Sequence, residues 1–147
     1  MRIRIIEIGK NKDRYIEEAV EEYLKRLSPY AKVEVLDLKQ EKSVELEGER
    51  ILKQLSSEEF VVVLDEHGKQ LNSLEFAKEI GRLKDLGQTL IFVIGGAFGL
   101  SDAVRARADL ILSFSKMTFT HQMIRPILLE QVYRGICIIS GKEYHHS

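Results

Sequence analysis

The sequence predicts an α/β fold: a parallel sheet with helices on both faces. Three observations carry this. Strand-like apolar runs alternate with amphipathic helical segments along all 147 residues, and such alternation builds parallel sheets. Phe60–Leu64 and Leu90–Ile94 are unbroken apolar runs, as expected of strands buried on both faces. The second run breaks into Gly95-Gly-Ala-Phe-Gly99, the bare backbone expected at a strand's carboxyl end.

Each element has its own signal. Arg2–Ile8 mixes charged and apolar residues and stops at Gly9, a strand. From Asp13 to Leu27, Ile16, Ala19, Val20, Tyr23, Leu24 and Leu27 share one helical face, ended by Ser28-Pro29. Lys32–Leu38 alternates as a second strand, and Ser43–Leu55 is a Glu-rich helix. Phe60–Leu64 is the third strand, ending in Asp65. Ser73 is the expected N-cap of a helix running to about Leu86. Thr89–Ile94 is the fourth strand; Ser101 caps a short helix through Ala106, and Asp109–Leu112 is a short fifth strand. A last helix lies between Thr120 and Arg134, with Gly135 read as its stop. No repeat, linker or low-complexity run interrupts the order, so one domain over residues 1–147 is expected.

Composition excludes several classes. With 44% hydrophobic and 31% charged residues, the chain is an ordinary globular protein. No apolar run approaches the ~18 residues of a membrane span, and charge interrupts the N-terminal apolar run, so no secretory signal is expected. Cys137 is the only cysteine; an intrachain disulfide is impossible, which fits a reducing cytoplasm. A net charge of −1 argues against a general polyanion binder. Its distribution softens that. Arg2, Arg4, Lys10, Lys12 and Arg14 outweigh Glu7 and Asp13, and Lys116, Arg125, Arg134 and Lys142 outweigh Glu130 and Glu143. Two basic ends flank an acidic middle; brought together, they would steer an anionic partner.

Several groups could do chemistry. The glycine turn is neither a dinucleotide fingerprint nor a phosphate-binding loop. Asp65-Glu-His-Gly-Lys69 either edges a ligand site or ends a strand. Asp65, Glu66 and His67 have no second cluster at ligand spacing, so no metal site is expected. Ser113, Ser115, Thr118 and Thr120 alternate with Phe114, Lys116, Met117 and Phe119. Such a loop can wrap a polar ligand, hydroxyls at its edge and rings on its faces, or form a half-buried edge strand. His121 and Arg125, spaced i, i+4, would share a helix face at an anion-binding helix start. Pro126 then requires that the helix begin near Arg125 or kink there. Glu130 and Arg134 have the spacing of a surface ion pair, and Tyr144-His145-His146, just before the final Ser147, joins a phenol to two imidazoles.

Taken together, Val93–Leu100, Leu112–Arg125, Glu130–Arg134 and Gly141–His145 resemble the SPOUT class of RNA methyltransferases. More narrowly, they resemble the ribosomal RNA large subunit methyltransferase H family, over nearly the whole chain. The resemblance implies a C-terminal trefoil knot and a cytoplasmic homodimer. It implies methylation of N3 of a pseudouridine in large-subunit (23S) ribosomal RNA on the assembled ribosome, with S-adenosylmethionine as donor. By position, the cofactor contacts would be Leu64, Gly95, Phe114, Ser115, Lys116, Met117, Thr118 and Phe119. Gly95 would leave the backbone free of side-chain obstruction. His145, Tyr144 and Arg134 are the candidates for the base or cationic neighbour that helps deprotonate the nucleophile, with His121 behind them. Arg125, His121, Lys10 and Arg14 are candidates for RNA contact. Two other readings stay open: a related enzyme acting on tRNA, and a non-enzymatic flavodoxin-like binding or signalling module.

Overall fold

The computed structural model describes residues 1–146; Ser147, part of the C-terminal tail read above, lies outside the described residues. Ten elements follow in the expected alternation: β1 (Arg2–Ile8), α1 (Arg14–Leu27), β2 (Lys32–Leu38), α2 (Val44–Lys53), β3 (Phe60–Gln70), α3 (Ser73–Asp85), β4 (Leu90–Ile94), α4 (Asp102–Arg107), β5 (Leu110–Ser113) and α5 (Ile124–Ile139). The five strands form one sheet in the order β2-β1-β4-β3-β5, and every pairing is parallel.

Strand periodicity divides the core between the two faces. Ile3, Ile5, Val62, Leu90 and Phe92 pack with Ile16, Phe76, Ile80, Leu128 and Val132 of α1, α3 and α5. Their neighbours Ile6, Ile8, Val61, Val63, Ile91 and Val93 pack on the other side with Ile51 of α2 and Val104 of α4. Helices therefore cover both faces. Cys137 is buried on α5, where it packs as a small hydrophobe.

Three local details depart from the sequence reading, and one, the start of the last helix near Arg125, agrees with it. The N-cap of α3 is Asn72, whose Oδ1 accepts from the Glu75 amide at 2.8 Å, not Ser73. Helix α5 begins at Ile124, so Pro126 lies in the first turn, where a missing N–H leaves no intrahelical bond unmade. Gly135 does not end that helix. It sits inside it, against α3: a Cβ there would lie 2.9 Å from Ile80 Cδ1 and 3.5 Å from Ala77 Cα. The helix stops at Ile139, four residues later. The amides of Gly141 (φ 70°) and Lys142 donate to the carbonyls of Ile138 and Cys137 at 3.3 and 2.9 Å, a Schellman closure.

Strand β3 also runs past Leu64. Leu64 and Lys69 both register with Leu112 of β5, so residues 65–68 form an excursion between them. Gly68 permits it, because a Cβ at that position would lie 2.6 Å from the Ile111 carbonyl oxygen.

Candidate active site

The carboxyl ends of β3, β4 and β5 open into a cavity of about 380 Å³, within the ~300–1,000 Å³ of small-ligand clefts. Leu64, Ile94 and Leu112 supply walls from the three strands; Gly95, Phe98 and Gly99 supply the glycine turn. Phe114, Ser115, Met117, Thr118 and Phe119 close it from the loop after β5, with His121 and Ile124 behind. Seven of the eight residues expected to hold a cofactor thus meet around one space. Lys116 is the exception: it is exposed and does not line the cavity.

The reason for glycine at 95 differs from the expectation. A Cβ there would meet the Gly99 carbonyl oxygen at 2.7 Å and Leu100 Cγ at 2.9 Å. The residue is small because the 95–99 turn closes on itself. The loop hydroxyls are likewise engaged within the chain. Ser113 Oγ donates to the Ser115 carbonyl (2.7 Å), Ser115 Oγ accepts from the Met117 amide (3.0 Å), and Thr120 Oγ1 accepts from the Met123 amide (3.1 Å). Their work is to hold the loop's shape, leaving its backbone and rings to face the space.

The β3 excursion brings charge to the rim. Asp65 is nearly buried and forms an ion pair with Arg105 of α4; its Oδ1 also accepts from the His67 amide at 2.9 Å. Glu66 accepts a hydrogen bond from the Thr118 hydroxyl, linking the excursion to the loop across the mouth. Arg105 had no signal in the sequence, because its partner lies forty residues away on another element. Among the described residues, no three His, Cys, Asp or Glu side chains converge in a way that would hold a metal ion.

A family profile described as "Predicted SPOUT methyltransferase" matches residues 1–145. The chain belongs to the SPOUT methyltransferase family. It is 49% identical to the ribosomal RNA large subunit methyltransferase H of Trichlorobacter lovleyi, covering 99% of this chain and 100% of the relative. Proteins of the same name from Carboxydothermus hydrogenoformans (48% identity, 99% of both chains) and Caldicellulosiruptor saccharolyticus (46%, 97% and 99%) match similarly. Membership makes the chain an enzyme and removes the signalling-module reading.

The C-terminal cluster of this SPOUT enzyme is ordered and separate from the cavity. Arg134 clasps Glu130 through Nη2 (2.6 Å) and Nε (3.1 Å), with both side chains largely shielded rather than on an open surface. The Tyr144 hydroxyl donates to the same Glu130 oxygen at 3.2 Å, and the guanidinium lies 4.8 Å over its ring. Burial, aided by neighbouring Tyr23 and Glu130, raises the Tyr144 pKa well above the ordinary phenol range. Tyr144 therefore keeps its proton and is no base. Arg134 Nη1 lies 3.2 Å from His145 Nδ1. A guanidinium only donates, so this contact has Nδ1 accepting and leaves Nε2 as the donor of the ring. In this arrangement His145 offers a donor, not a base. None of Arg134, Tyr144 and His145 lines the cavity.

The basic residues expected to meet RNA divide sharply. Arg125 is 2% exposed. Its Nη1 donates to Asn11 Oδ1 (2.8 Å) and its Nη2 to the carbonyls of Ile8 (2.8 Å) and Gly9 (2.9 Å). Nε lies 3.2 Å from Glu7 Oε2, an ion contact without hydrogen-bond alignment. The expectation of an RNA contact at Arg125 is corrected: its guanidinium straps the start of α5 to the end of β1. His121 precedes α5 in a turn, so the two do not share a helix face. Burial and the Arg125 cation lower the His121 pKa, and the ring stands neutral against the cavity. Lys10 and Arg14 are exposed, Arg14 pairing with Glu18 at 2.9 Å, and neither lines the cavity. The basic ends do meet: Gln122 Nε2 donates to the Lys10 carbonyl at 3.0 Å.

Proposed function

We propose that this chain transfers a methyl group from S-adenosylmethionine to N3 of a pseudouridine in large-subunit ribosomal RNA. It does so as a cytoplasmic homodimer acting on the assembled ribosome, through a single domain whose C-terminal segment is tied in a trefoil knot. The observation that carries the donor assignment is the convergence of Leu64, Gly95 and the 114–119 loop on one cavity at the carboxyl edge of a parallel sheet. The names of the relatives support the RNA assignment.

The residues present fit the donor. Leu64, Leu112 and Phe114 offer apolar walls to an adenine face, and the loop backbone can address its edge. Bound there, the donor would supply an activated methyl group on a sulfonium centre. The chain's part is then alignment and acidification of the acceptor. The N3–H of a pseudouridine stands between two carbonyls, and its anion spreads onto both oxygens. Arg134 and the Nε2–H of His145 suit those oxygens as cation and donor, letting the N3 proton pass to solvent. Tyr144 and Glu130 hold Arg134 in place. Because this cluster does not line its own chain's cavity, the tail of the second subunit completes the site.

Radiolabelled methyl donor offered separately to ribosomes, naked ribosomal RNA and tRNA tests this. Labelling of ribosomes alone, mapped by mass to a pseudouridine, is the expected result. Labelling of tRNA in preference to ribosomes would overturn it.

A further inference from the structure

Besides two histidines, three side chains of formally charged type line the cavity: Asp65, Glu66 and Arg105. Asp65 and Arg105 neutralise each other as an ion pair. Among the described residues, Glu66 has no lysine or arginine partner. The Thr118 hydroxyl that meets it is uncharged. His67, whose Nε2 lies 3.4 Å from Glu66 Oε1, is 80% exposed and carries charge only when protonated. His121, the other imidazole on the wall, is held neutral by burial and by Arg125. The lining therefore bears one net negative charge, and Glu66 supplies it.

This charge has a use that rests on the donor reading above. S-adenosylmethionine sets a sulfonium and an ammonium against one carboxylate and is a net cation. As the new N–C bond forms and the C–S bond breaks, the electron pair stays on sulfur, and S-adenosylhomocysteine is left with no net charge. We infer that Glu66 makes the site discriminate between cationic donor and neutral product, favouring entry of the first and release of the second. Its carboxylate sits at the mouth with its side chain 35% exposed, so the attraction is partly screened but real at low salt.

Calorimetry on the full-length protein at pH 8, where histidine is uncharged, tests the inference with three ligands. These are S-adenosylmethionine, S-adenosylhomocysteine and sinefungin, a cationic analogue that transfers no methyl group. Glu66→Gln keeps the shape and the acceptor for Thr118 but removes the charge. It should weaken both cations roughly three- to tenfold and leave the neutral product within about twofold, with the difference shrinking in high salt. Thr118→Val breaks the same contact without changing the charge and should preserve the ratio of donor to product affinity. Equal losses for all three ligands in Glu66→Gln, or no loss for any, would overturn the inference while leaving the donor reading intact. Wild-type protein that binds none of the three would overturn both.

Discussion

Glu7 and Arg125 are 3% and 2% exposed and face each other in the interior. Because Glu7 keeps its proton up to about pH 8, Arg125 acts chiefly through its donations to the Ile8 and Gly9 carbonyls. Arg125→Ala leaves those acceptors without a donor and should lose roughly 1–3 kcal/mol of stability for each one stranded, read from denaturant midpoints. A stable Arg125→Ala protein that merely binds RNA less well would restore the surface role this structure takes away. Glu7 has its own signature. Burial, then the nearby Asp37 carboxylate, push its pKa up to about 8 against the attraction of Arg125. The folded state holds that proton while the unfolded chain releases it in the ordinary carboxyl range. The stabilisation is thus complete below about pH 4.5 and drains away as pH rises through 8. Glu7→Gln should lack this decline, so wild-type and variant stabilities converge or cross between pH 5 and pH 9; parallel curves would refute it. Nothing local in the sequence marks Arg125 as buried. Its i, i+4 spacing from His121 reads as a surface face, and its partner Glu7 stands near the other end of the chain.

At the scale of elements, the β3 excursion is the least expected feature and the one that shapes the cavity rim. Leu64 ends the apolar run, and the sequence reading stops the strand there, six residues short of its end at Gln70. Re-pairing at Lys69 depends on β5 and could not be read locally. Gly68 alone lets the backbone pass Ile111. Gly68→Ala should destabilise the protein by about 1–3 kcal/mol, as overpacking against rigid backbone does, and should weaken donor binding by displacing Glu66. Thermal unfolding together with donor calorimetry checks both effects; a variant as stable and as tight as wild type would show the excursion to be incidental. Helix α5 teaches a related lesson. A glycine near the end of an apolar helical run looks like a stop, yet Gly135 is there for the close approach of α3. Gly141, with positive φ, does the stopping.

At the scale of the molecule, the cavity and the Arg134–Tyr144–His145 cluster lie apart on one chain. If a second subunit's tail completes each site, two crippled variants should rescue each other. Leu64→Trp fills the cavity and Arg134→Ala disables the tail. Mixed and reassociated, they should regain about a quarter of wild-type methylation by statistical pairing, while each alone stays inactive. No recovery despite proven subunit exchange would place tail and cavity of the same chain together. The apolar periodicity, turn glycines and capping residues determined by themselves that the chain is α/β with a parallel sheet covered on both faces, because those signals act over a few neighbouring residues. The motif blocks also named the segments that line the cavity. Only the tertiary structure decided which charges are buried, which glycines serve packing and which carboxylate at the cavity is left without a counter-ion. Those outcomes depend on contacts between residues forty to more than a hundred positions apart, and no local pattern encodes them.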